Sequence, residues 1–197
     1  ILNRKLDIMF DTPNGVWINS LREEIIEKMV EAGLVRTTIA IEHGNDYIRN
    51  KVIGKALDRK KILEVANMLN EHNILTTAGF IMGFPEETHE SLQDTYDMMD
   101  ELQLDKVTVS SLVAYPGTAL FKQVVKDKLF IHGVDLSELW QYPLGRVPSK
   151  FNIKPYNLSI DDLHKWRKRF DLMKVKHWKT NTKAESLGRG LRLEGAD

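Results

Sequence analysis

Four clusters of acidic, hydroxyl, glycine and ring residues follow apolar runs: Asp11-Thr12-Pro13-Asn14-Gly15, Glu42-His43-Gly44-Asn45, Gly83-Phe84-Pro85-Glu86-Glu87-Thr88 and Tyr115-Pro116-Gly117-Thr118. Glu42 comes directly after Thr37-Thr38-Ile39-Ala40-Ile41. A carboxylate projecting there can accept two hydrogen bonds from a ribose diol, or it can cap a short helix over Asn45 to Ile53. Gly79 and Gly83 stand four apart across the end of the run Leu75 to Met82. Such glycines let a flat ring lie against backbone, or they serve plain packing followed by a turn. Tyr115-Pro116-Gly117-Thr118 offers either an aromatic face and a rigid turn into a helix N-terminus or an ordinary strand-to-helix connection. His43 is the one imidazole at the end of an apolar run, where metal ligation or proton transfer is conceivable, but no second histidine stands at ligand spacing. The remaining histidines read as surface residues.

The totals narrow the chemistry. The 197-residue chain has no cysteine, which excludes disulfides, thiolate nucleophiles and cysteine-ligated metal clusters in these residues. With 28 basic against 28 acidic residues, no global field draws it to nucleic acid or anionic lipid. No run of about 18 apolar residues or signal-peptide pattern occurs, so a soluble, cytoplasmic setting is expected. An apolar run opens within a few residues of Ile1, which suggests a piece of a longer protein.

The elements that must position these clusters are legible as alternating strands and helices. Apolar runs Leu6 to Phe10, Thr37 to Ile41, Leu75 to Met82 and Lys106 to Val113 recur about every 30 to 40 residues, the length of a βα unit. Between them lie helix starts: a capping box at Ser20-Leu21-Arg22-Glu23, then Asp58, Thr88 and Thr118 as N-caps. Each opens an apolar stripe, such as Leu21, Ile25, Ile26, Met29 and Val30, or Leu120, Phe121, Val124, Val125 and Leu129. The pattern predicts an α/β fold whose parallel strands present ligands at their C-terminal ends. Periodicity leaves an open doubly wound sheet and a piece of a barrel equally available. Beyond Lys128, an irregular stretch over Gly133 to Pro155 precedes a capping box at Ser159-Ile160-Asp161-Asp162 and a helix with Leu163, Trp166, Phe170 and Met173 on one face. The other face, with Lys165, Arg167, Lys168, Arg169 and Lys174, reads as solvated rather than as a nucleic-acid patch. From Asn181 the sequence reads as a frayed tail.

In order and spacing, these clusters resemble the radical S-adenosylmethionine (SAM) superfamily, in particular the group shared by methylthiotransferases, coproporphyrinogen oxidase-like enzymes and cobalamin-binding members. Ile41-Glu42-His43-Gly44-Asn45-Asp46 is similar to the family's E-S-G-x-D ribose motif. Phe80-Ile81-Met82-Gly83-Phe84-Pro85-Glu86-Glu87-Thr88 is similar to its I-x-G-F-P-G-E-T segment, and Tyr115-Pro116-Gly117-Thr118 to its late P-G-T turn. The resemblance implies an incomplete, TIM-like (βα)6 barrel of which residues 1–128 supply strands three to six, an irregular and helical extension over 129–180, and a flexible tail over 181–197. It implies SAM contacts from Glu42, Gly44, the strand end Ile81, Met82 and Gly83, from Glu87 or its neighbour Glu86, and from Tyr115 and Pro116 closing over the adenine.

The C-x-x-x-C-x-x-C motif that binds the 4Fe-4S cluster is missing, and His43 stands where serine is usual. The cluster, and reductive SAM cleavage to a 5′-deoxyadenosyl radical, would then belong to a full-length parent, with cobalamin in an upstream domain. Two other functions fit the strand-end residues: a non-catalytic nucleotide-binding α/β module, and a hydrolase or aldolase barrel using Glu42 and Glu87 as acid and base. A barrel stripped of its first strands exposes an apolar edge, so the chain is expected to self-associate or to shield that edge with its tail.

Overall fold

The structure, a computed structural model, describes residues 1–132, 134–142 and 151–180, with residues 174–180 as helical backbone only. Four parallel strands pair in sequence order: β1 (Phe10–Val16), β2 (Leu34–Glu42), β3 (Leu75–Met82) and β4 (Lys106–Ser111). Helices α1 (Glu23–Glu31), α2 (Arg59–Glu71) and α3 (His89–Glu101) form the crossovers, and α4 (Ala119–Lys126) follows β4. Because the order never reverses, there is no switch point of a doubly wound sheet among the described residues, and these strands form an unclosed, barrel-like sheet.

The first strand departs from the sequence pattern. Leu6, Ile8 and Met9, expected within it, lie exposed outside the sheet, and pairing begins at Phe10, whose N–H donates to the Gly33 carbonyl at 2.9 Å. Cross-strand polar pairs decide this placement: Asp11 with the Arg36 guanidinium, and the hydroxyls of Thr12 and Thr37 at 2.6 Å. Pro13 is tolerated because β1 is an edge strand, and the register shifts between Thr12 and Val16. The Asp11 to Gly15 cluster, expected beyond a strand, is therefore inside one.

Three of the four caps expected for α1 to α4 form. Asp58 accepts from the Lys61 N–H at 2.7 Å, Thr118 from Phe121 at 3.1 Å, and Thr88 exchanges bonds with Ser91 in a capping box. Ser20 does not cap α1: it lies in a 3-10 turn, Ile18–Ser20, and donates to the Trp17 carbonyl at 2.7 Å, which leaves Arg22 at the cap position. Val125, expected in the α4 stripe, is exposed.

Alternation along the strands separates two faces. Ile39, Ile41, Ala78, Phe80, Met82, Val107 and Val109 are buried in one core with Ile26, Ile62, Val65, Leu69, Leu92 and Met98 of the helices. The opposite face carries Thr38, Ala40 and Glu42, then Thr77, Gly79 and Ile81, then Thr108. A closed barrel is filled by layers of bulky branched residues; these mostly small, half-buried side chains leave room instead.

The last helix, α5 (Ile160–Thr180), packs on β4 and α3 and buries Leu163, Trp166, Phe170 and Met173 in the same core. Ser159 and Asp162 form the expected capping box. The helix's basic face is only partly solvated. The Arg167 guanidinium donates to the Val109 carbonyl and, at 3.1 Å, to Ser111 Oγ, while Arg169 lies 4.1 Å over the Trp166 ring. Lys165 and Lys168 are exposed, and the Lys174 side chain falls outside the described residues. α5 thus covers the β4 side of the sheet, whereas among the described residues β1 pairs with β2 alone and the neighbouring Leu6, Ile8, Met9 and Trp17 are exposed. The expected tail over 181–197 lies outside the described residues, as does 143–150 of the irregular stretch. No helix among the described residues is long and apolar enough to cross a membrane.

Candidate functional site at the strand ends

Glu42 ends β2 on the small-residue face, in a left-handed conformation (φ 73°) that costs a non-glycine residue about 1–2 kcal/mol. Its Oε1 accepts from Lys55 Nζ at 2.9 Å, and Oε2 has no hydrogen-bond partner among the described residues. The side chains of Lys55 and Glu42 are 23% and 22% exposed, open enough to meet a ligand. Glu42 does not cap the following turn. Asn45 does, its Oδ1 accepting from the Ile48 N–H at 3.1 Å, and the chain continues as a short π-helix, Ile48–Val52, before returning Lys55 to the strand end.

Gly79 lies in register between Ala40 and Thr108, and Ile81 beside Ser110, so a strip with little side-chain bulk runs up the face toward Glu42. A Cβ at Gly79 would meet only the Ile39 carbonyl oxygen and Thr108 Oγ1, each at 3.9 Å. The Met82 side chain points the other way, fully buried against the helices, so it presents only backbone at the strand end. Gly83 follows in a conformation (φ 101°) that glycine alone adopts readily. Tyr115 and Pro116 are exposed in the turn after β4, tied by Thr118 Oγ1 donating to the Tyr115 carbonyl at 2.7 Å.

The other side of the same strand ends is closed and polar. His43, next to Glu42, alternates to the helix side and is fully buried. The Asn45 N–H donates to its Nδ1 at 3.0 Å, so the ring proton is assigned to Nε2, which donates to Glu87 Oε1 at 3.0 Å. Glu87 Oε2 accepts from the Gly83 N–H at 2.6 Å. Burial pushes the Glu87 carboxyl above its ordinary range, opposed by His43 and by the Gly83 and Phe84 amides. Gly44 sits directly on α3, where a Cβ would come within 2.5 Å of the Asp94 carbonyl oxygen, and its N–H donates to Thr95 Oγ1 at 3.0 Å. Arg49 is fully buried; its guanidinium donates to the carbonyls of His43 and Gly44, each at 2.9 Å, and of Leu57 at 2.7 Å, and pairs with Asp46.

Of the residues expected at a site, Glu42, Gly79 and Ile81 therefore gather along one open face, Gly83 is buried at the end of the same strand, and Tyr115 and Pro116 stand in solvent. Gly44 and Glu87 lie on the closed side, where Glu87 braces backbone and cannot converge with Glu42 as an acid–base pair. Glu86 is separate, accepting from Gln123 Nε2 at 2.7 Å. His89 is exposed, as expected, and also accepts from Trp166 Nε1 at 3.0 Å. Sequence reasoning missed Arg49 and the Lys55 pairing. The one available signal was an arginine three residues after Asp46, directly after Tyr47 and Ile48.

Among the described residues no cluster of three histidine, cysteine or carboxylate side chains can hold a metal. The absence of cysteine leaves no donor set for a cysteine-ligated iron-sulfur cluster in this chain. The open face fits an adenosine better: one accessible carboxylate for a diol beside a strip where a flat ring can approach backbone.

Known proteins place this architecture. TsrM from Kitasatospora setae, a radical S-adenosylmethionine methyltransferase with cobalamin and a [4Fe-4S] cluster bound, superposes with a TM-score of 0.51 at 13% identity, over 83% of this chain and 44% of that one. An uncharacterized methyltransferase of Pyrococcus horikoshii, PH0819, is 25% identical over 64% of this chain and 27% of its own length. The ribosomal protein uS12 methylthiotransferase RimO of Clostridium botulinum is 31% identical over 52% of this chain and 22% of its own length. The chain thus spans about a quarter of the length of these two relatives. The model of the radical SAM superfamily matches residues 3–99, which contain Glu42, Gly79, Ile81 and Gly83, and with the parallel, unclosed α/β sheet this makes the chain a member of that superfamily.

Proposed function

We propose that this chain is the SAM-holding part of a radical SAM barrel, with Glu42 receiving the ribose diol and the Gly79 to Gly83 strip receiving the adenine. The observation that carries this reading is Glu42 itself: a half-buried carboxylate, held in an unfavourable backbone conformation at the C-terminal end of a parallel strand, with one oxygen left for a ligand. Lys55 holds that carboxylate in place and adds positive charge where an anionic group of the ligand would lie. SAM supplies a 5′-deoxyadenosyl radical when it is reductively cleaved; this chain's residues bind and orient, and an iron-sulfur cluster needs ligands from another segment of a longer, cytoplasmic protein. A cobalamin-binding domain in the same protein is consistent with the TsrM likeness. The open edge of β1, with Ile8 and Met9 exposed beside it, takes a further strand from the longer protein or from a second copy.

The test is SAM binding and cleavage by the full-length protein, reconstituted anaerobically and reduced with dithionite. Production of 5′-deoxyadenosine is expected, and Glu42→Ala is expected to weaken SAM affinity about 10- to 100-fold, as removal of hydrogen bonds to a charged acceptor does. Adenosine binding with no cleavage by any form would favour a nucleotide-binding module instead.

A further inference from the structure

We propose that His43 is a positioning residue, which acts by fixing the Glu87 carboxylate that holds the Gly83 amide and so sets the path of the β3 end along the open face.

The geometry is a relay between two turns. His43 Nδ1 is satisfied by the Asn45 N–H, so Nε2 carries the proton and must find an acceptor in a dry pocket. Glu87 supplies it with Oε1 and uses Oε2 for the Gly83 N–H. The ring packs edge-on against Phe84, the residue after Gly83. The Gly44 turn cannot retreat, because it rests on the α3 backbone and its carbonyl is held by Arg49. His43 therefore connects the fixed Gly44 turn to the glycine turn after β3, through the carboxylate that holds the Gly83 N–H. Glutamine at position 87 would not replace the carboxylate, since two N–H donors converge on its two ends and the amide offers one acceptor.

Charged groups surround the relay without entering it. Arg49 on the π-helix bonds the His43 carbonyl, Asp46 pairs with Arg49, and Asp94 on α3 accepts from Asn45 Nδ2 at 2.7 Å. Glu86 faces Gln123. Among the described residues, His43 is thus the one titratable side chain that hydrogen-bonds the buried carboxylate.

The consequence for SAM rests on the function proposed above, but the relay can be tested without a ligand. Amide hydrogen exchange in the full-length protein, followed by mass spectrometry on the peptide containing Gly83, reads the relay directly. In His43→Ser the carboxylate loses a donor and resists ionisation further. The closed turn then weakens as pH rises above the ordinary carboxylate range, and Gly83 protection falls by up to about tenfold per pH unit until the raised value is passed. Wild type and His43→Gln, whose side-chain amide restores a donor, are expected to change much less. Equal losses in the Ser and Gln variants at every pH, or no loss in either, would overturn the proposal. Nitrogen NMR of the wild-type ring provides a check that needs no variant: the proton is expected on Nε2, and an Nδ1-protonated tautomer would overturn it. If exchange behaves as expected while SAM fails to bind, the functional reading falls and the relay stands.

Discussion

The two sides of the β2 and β3 ends use the same residue types to opposite effect. On the helix side, Glu87, His43 and Arg49 are fully buried and each hydrogen-bonding group has a partner. On the open side, Glu42 and Lys55 form a half-exposed pair on a strained backbone, with one carboxylate oxygen unengaged. A buried ion or dipole is tolerable only when fully satisfied, so the helix side is committed to holding the fold. A carboxylate kept accessible in an unfavourable conformation contributes little to stability and is available for binding. Neighbouring residues 42 and 43 differ in role because alternation turns one to each side.

The comparison breaks most easily at Arg49. Arg49→Met should lower stability by about 3–5 kcal/mol, because three backbone carbonyls lose a charged donor inside the core; a urea midpoint that barely moves would show the network to be dispensable. Glu87→Gln should cost about 1–3 kcal/mol at neutral pH. It should also remove a pH dependence. Because burial raises the Glu87 pKa, the folded state binds a proton more readily than the unfolded chain. Wild-type stability is therefore expected to fall as pH rises from the ordinary carboxylate range through the raised value, and the variant's to be flatter. Paired denaturation curves from about pH 5 to 8 measure that slope. The smallest effect has the opposite sign: Glu42→Gly relieves the left-handed strain and should raise stability by about 0.5–1 kcal/mol, net of glycine's entropy, while weakening ligand binding as Glu42→Ala does. A loss of stability in that variant would place Glu42 among the structural residues after all.

Legibility followed how local each determinant is. The β3 run and the caps at Asp58, Thr88, Thr118 and Ser159 could be read because strand propensity and cap chemistry act within a few residues. The β1 strand was misplaced because the edge ladder is fixed by partners some 25 residues away, Arg36 and Thr37, which override the apolar pattern of Leu6 to Phe10. Glu42 was recognisable from its place after an apolar run and from the motif around it. The role of His43 was not, since an imidazole after a strand carries no mark of the side to which it turns or of the carboxylate 44 residues away that will meet it.

The sequence by itself determined the βα rhythm, the superfamily resemblance and the exclusion of a cysteine-bound cluster from these residues, all of which depend on composition or short-range order. Only the tertiary structure decided that the strands run in unbroken order, that α5 covers one side of the sheet and leaves β1 open, and that Glu42 and Glu87 part company. These depend on pairing and burial between distant segments, where the partner of each group is chosen by the fold.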